Sequence, residues 1–199
     1  MTEQPFGQRP AGPLAGGLPP GDAVVTLWAS GDAHAAALCV VLTQHEENLG
    51  PSGDWTPTLW AVARHHAPAG QALLSIAPAW QVPVSDPAEL PSALLSWAAC
   101  LGRTQARGGA ADIFAWVLTA DARLASPAGA AGPALDAHLL AAADRAGVSY
   151  QLLRPRHGAP ALYVQRCPGA GPLSPGVTAE AAEALHAIVA ATPLAPPVG

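Results

Sequence analysis

Glu180, Glu183 and His186 recur every three residues near the end of the chain, so two carboxylates and an imidazole share one helix face. Such a set can hold a metal ion, although a solvated helix face is the commoner meaning of the pattern. Arg154, Arg156 and His157 form the one basic cluster. Guanidinium and imidazole groups gathered on a loop can hold phosphate, and solvated loop charge is again the commoner meaning. Of the six tryptophans, Trp97 and Trp116 fit core positions, whereas Trp28, Trp55 and Trp60 lie in or near the opening apolar runs. Exposed rings there would stack on bases or anchor a protein partner. Cys39, Cys100 and Cys167 stand far apart without paired spacing and read as small core hydrophobes in a reducing compartment. The chain has no Gly-x-Ser-x-Gly elbow, phosphate-binding loop, dinucleotide glycine signature or His-Glu-x-x-His motif.

The elements that must position these groups are read from period and punctuation. Ala23–Ala29 and Ala36–Gln44 are rich in Val and Leu and flank the polar turn Ser30-Gly31-Asp32-Ala33, which predicts an antiparallel hairpin. Residues 45–56 read as a loop, and Thr58–His66 and Ala72–Trp80 as one or two further strands. Asp86 offers a helix cap ahead of Leu94, Leu95, Trp97, Ala98 and Leu101 at helical spacing. Asp112–Thr119 is a near-continuous apolar run, which suits a strand buried on both faces. Leu135, Leu139, Ala142 and Ala146 predict a second helix stopping at Gly147, followed by a strand Val148–Leu153, a short partner Ala161–Arg166 and a last helix over 178–191.

The chain is 199 residues long, half apolar and only 12% charged, so one domain over residues 22–192 has enough material for a core. Residues 1–21 and 193–199 are Pro- and Gly-rich and read as a disordered tail and a flexible tail. All nine basic residues are arginine and the net charge is −5, which excludes a broad electrostatic footprint for duplex nucleic acid. No run approaches the ~20 apolar residues of a membrane span, so a cytoplasmic protein with no membrane partner is the expectation.

Strand, strand, strand, helix, strand, helix, strand, helix is an order that predicts an α/β fold. The expected sheet is mixed, five- or six-stranded, with antiparallel opening strands, helical crossovers and three main helices. That order resembles the ribonuclease H fold across residues 23–191, and three short stretches are similar as well. Val117-Leu-Thr-Ala-Asp-Ala-Arg-Leu124 looks like the family's strand end, Ala88-Glu-Leu-Pro-Ser-Ala-Leu-Leu95 like its first helix start, and Arg145–Gly158 like the strand and His-Gly loop before its last helix. The family holds two metal ions with four carboxylates, and the resemblance implies Glu89, Asp121 and either Glu180 or Glu183 for three of them.

The fourth place, a first-strand aspartate, falls on Ser30 of Ser30-Gly31-Asp32. Two divalent cations ~4 Å apart need surrounding anions, so losing the central ligand predicts a vestigial site. Three readings follow. A catalytically degenerate ribonuclease H-like domain would bind nucleic acid or a protein of nucleic-acid metabolism through Arg154, Arg156, His157 and Trp28, with no cofactor. An active nuclease would use Mg or Mn held by Asp32, Glu89, Asp121 and Glu183. A pure interaction scaffold would use its Trp-bearing strands on a protein partner or in a homodimer. Each carboxylate also has a plain meaning: Asp32 as a turn-former, Glu89 as a first-turn helix acid and Asp121 as a turn start.

Overall fold

The computed structural model describes residues 33–50, 55–66, 72–104, 112–124, 135–155, 161–166 and 179–193. Asp32, Trp28, Arg156, His157, the Ala23–Ala29 run and both expected tails up to residue 21 and from residue 194 lie outside those residues. Ala36–Gln44, expected as a strand, lies inside a helix, α1 (Ala33–Leu49), which also takes in the first five residues of the expected loop that begins at His45. A continuous apolar run satisfies both periods, and length decides between them. Here Ala35, Leu38, Cys39 and Leu42 make one buried stripe of a 17-residue helix while Val40 and Gln44 face outward. Gly50 ends it with φ at 72° and its N–H on the Glu46 carbonyl, the left-handed cap that glycine adopts without strain.

Strands β1 (Thr58–His66) and β2 (Ala72–Gln81) pair antiparallel, as their sequences suggest. The Asp86 carboxylate accepts from the Ala88 N–H at 2.9 Å and caps a short turn, Pro87–Glu89, that runs into helix α2 (Leu90–Thr104). Strand β3 (Ile113–Leu124) is buried without interruption from Phe114 to Ala120, in keeping with a central position.

The expected second helix is a strand, β4 (Leu135–Asp144), hydrogen-bonded to β3 and to β5 (Val148–Pro155). Leu139, Ala141 and Ala143 pack toward one face of the sheet and Leu140 and Ala142 toward the other. A strand buried on both faces shows no alternation, and small alanines let chance Leu and Ala spacings imitate a helical stripe. Gly147, expected to stop that helix, instead holds φ at 77° in the three-residue loop of the β4–β5 hairpin. The buried Asp144 carboxylate organises this loop by accepting from the Ala146 and Val148 N–H groups at 2.8 and 2.9 Å and from the Tyr150 hydroxyl at 2.6 Å.

Strand β6 (Ala161–Arg166) adds to β5, and helix α3 (Ala179–Ala191) ends the described chain. The α/β class holds, with three helices and a six-stranded sheet in the order β2-β1-β3-β4-β5-β6. The mixed pairing does not hold, since every neighbouring pair is antiparallel. The reason is β4: with a strand where a crossover helix was expected, the chain from β3 to β6 returns directly, and direct returns pair antiparallel.

Helix α1 covers one face of the sheet over Val62, Val117, Leu140, Tyr150 and Leu152. Helices α2 and α3 cover the other over Leu59, Trp116, Leu118, Leu139 and Leu153. Arg145 ties the end of α3 to the sheet. Its Nε donates to the Ile113 carbonyl at 2.6 Å and its Nη2 to the Thr192 and Pro193 carbonyls at 3.0 and 2.7 Å, a cation at the negative end of the helix dipole.

Candidate functional site

The expected carboxylates are spread over both sides of the sheet. Asp121 lies near the end of β3 on the face that α1 covers, whereas Glu89 lies exposed before α2 and Glu183 exposed on α3, both on the opposite side. Among the described residues, no three His, Cys, Asp or Glu side chains group in a way that could hold a metal ion. Glu89, Asp121 and Glu183 are therefore not brought together. The Glu180, Glu183 and His186 stripe also divides: Glu180 and Glu183 are exposed, while His186 turns inward to Ser149 with 2.7 Å between Nε2 and Oγ. Burial lowers the His186 pKa below the ordinary histidine value.

What the sheet does gather is a polar row under the C-terminal end of α1. The register places Asp121 beside His138 and His138 beside Arg154 on three adjacent strands. His138 shares 2.8 Å between its Nδ1 and the Asp121 Oδ1, with the imidazole buried and the carboxylate 61% exposed. The Trp55 ring stacks on His138 at 4.5 Å and 16°, and the Trp55 indole N–H donates to the Gly50 carbonyl at 3.2 Å. Trp55 is buried, so it offers no stacking surface to a base.

Arg154 forms a two-pronged ion pair with Glu46 of α1, with Nη2 donating to Oε2 at 2.6 Å and Nε to Oε1. Glu46 is 0% exposed and is met there by both prongs of one guanidinium fork. The hydrogen bonds that Arg154 donates to Glu46 raise its pKa above the ordinary value. Beside them, the His45 ring meets Trp60 edge-on at 4.3 Å, and Trp60 Nε1 donates to the Thr119 hydroxyl at 2.9 Å. Burial lowers the His45 pKa, and its Nε2 has no partner among the described residues.

The arrangement is a cross-brace between helix and sheet. Its acid, base and cation are each committed to an internal contact, and the guanidinium expected to meet phosphate is occupied by Glu46. His138 and Glu46 are the residues that sequence reasoning missed, and Trp55, expected as an exposed ring, is buried against His138 instead. Glu46 and Arg154 lie 108 residues apart and nothing local joins them. His138 stood inside a run read as helix, where period 2 was not being counted. Cys39 is buried as expected and its thiol is pushed up to about 11 by that burial, whereas Cys100 is exposed. No described helix is long and apolar enough to cross a membrane. No family model matches the chain, and neither a curated protein nor a solved structure matches it at a significant level.

Proposed function

We propose that this domain works by binding, and that it takes an extended segment of a partner protein along the outer edge of β2. The observation that carries this reading is the edge itself. β2 is one of the two terminal strands of the sheet, and among the described residues no strand lies along its outer side. An unpaired row of N–H and C=O groups is a template for one more strand, with main-chain hydrogen bonds giving affinity.

The edge is also held in place. Leu74 and Ile76 pack into the core under α1, while Ser75, Ala77 and Ala79 are exposed and small enough for another backbone to approach. Pro78 lacks an N–H, and the register shift opposite Leu59 and Trp60 leaves Ala79 as an extra residue. Pairing therefore ends near Ala77 and leaves Ala72–Ala77 as the usable edge.

The nucleic-acid and nuclease readings have less support. Arg64 is engaged by Asp112 at 2.7 Å, Arg145 by three carbonyls and Arg154 by Glu46, so these cations are spent within the fold. The acids that a two-metal reaction would need are dispersed. Peptides selected from a random displayed library against the full chain are expected to bind it, and Ala77→Lys to weaken them ~10-fold or more with the melting temperature unchanged. Labelled DNA and RNA oligonucleotides, followed by anisotropy, are expected not to saturate. Oligonucleotide binding that falls steeply with salt and ignores Ala77→Lys would overturn the proposal.

A further inference from the structure

The C-terminal half of α1 buries one ionisable group that the cross-brace does not employ. His45 is 7% exposed, meets Trp60 of β1 edge-on, and among the described residues its Nε2 has no hydrogen-bond partner. A neutral imidazole carries a proton on one nitrogen only, whereas an imidazolium carries one on each. Charging the ring where it sits would therefore bury a donor without an acceptor and a cation without a counterion.

The groups packed around His45 are committed elsewhere. β2 contains no ionisable residue, and those of β1, namely Arg64, His65 and His66, stand toward its opposite end from Trp60. On the sheet face under α1, Asp121 and His138 bond to one another and Arg154 bonds to Glu46. Asp144, farther along, accepts from the Ala146 and Val148 N–H groups and from the Tyr150 hydroxyl. Glu47 and Asp136 are exposed. The two apolar clusters lie on opposite sides of the sheet, and α1 packs on one of them while α2 and α3 pack on the other.

We propose that His45 is an acid-sensitive latch, whose protonation frees the last two turns of α1, Leu42–Leu49, from β1 and β2 while α2 and α3 stay seated. Their release uncovers Trp60, Leu74 and Ile76 and carries Glu46 into water together with its cation. The latch works whether or not a partner strand lies along β2. Once released, the ring recovers the ordinary histidine pKa of 6.5, while the seated ring stays neutral. The opened population then rises ~10-fold between pH 7.5 and pH 5.5, the ratio set by proton uptake at a free histidine.

Amide hydrogen exchange on the full chain tests this, read as protection factors at those two pH values so that the intrinsic pH dependence of exchange cancels. Protection at Gln44–Leu49 is expected to fall ~10-fold at the lower pH, and that at Leu94–Leu101 of α2 by less than ~3-fold. His45→Phe, whose ring cannot be charged, is expected to hold Gln44–Leu49 within ~2-fold over the same interval. Equal falls in α1 and α2 overturn the proposal, because they mean that the whole domain opens. A fall that persists in His45→Phe overturns it too, by assigning the effect to another group such as His186 on the far side of the sheet. Unchanged or raised protection in α1 also overturns it, since the Trp60 ring would then be stabilising the imidazolium. Should the phenylalanine variant fail to fold, His45→Gln repeats the comparison, and the unaltered chain alone still separates local from global opening.

Discussion

Removing Arg154 leaves the fully buried Glu46 carboxylate without its cation, whereas removing Glu46 leaves a guanidinium that is 20% exposed and can reach water. Arg154→Ala is therefore expected to cost about 3–5 kcal/mol in urea unfolding, and Glu46→Ala less. The double substitution should cost less than the sum of the two, because the second change removes the orphan that the first creates. An additive result would mean that the pair is not coupled as its geometry implies. His45 and His186 make a separate prediction. Burial lowers both His45 and His186 below the ordinary value of 6.5, so the unfolded chain takes up protons that the folded chain refuses. The stability they contribute is fully present above pH 6.5 and is lost as pH falls from there through their folded-state values. Urea midpoints should drop between pH 7 and pH 5, and His45→Gln should flatten that slope. A midpoint that rises over the same interval would contradict the burial of these rings.

The elements show where sequence period is informative. Strands β1, β2, β3, β5 and β6 and helices α2 and α3 stand where punctuation and periodicity put them, each marked by a proline, a glycine or an acidic cap. The two exchanges, helix for strand at Ala36–Gln44 and strand for helix at Leu135–Ala146, fall on runs whose apolar spacing fits either period. Burial on both faces removes alternation from β4, and only pairing with β3 and β5 identifies it. The candidate site was less legible for the same reason. Asp121 and Arg154 were singled out, but their partners sit on the two misread elements, His138 on β4 and Glu46 on α1. Gly147 supplies an element-scale test. An added Cβ there meets nothing within 4 Å, so Gly147→Ala should cost only the strain of a positive φ, about 1–2 kcal/mol. A neutral result would mean that the hairpin does not need the left-handed residue.

For the whole molecule, the antiparallel sheet places two helices on one face and one on the other, and the Glu46–Arg154, Trp116–Thr192 and Ser149–His186 contacts tie those layers together. Among the described residues β2 is one of the two terminal strands of the sheet, and binding along its outer edge is the central claim. Its most direct test is an amide spectrum of the labelled full chain recorded while the tightest library-selected peptide is titrated in. The account predicts shifts concentrated in Ala72–Ala77 and their absence in Ala77→Lys. Shifts centred on Arg154, Ser149 or α3, with the β2 amides unmoved, would contradict it.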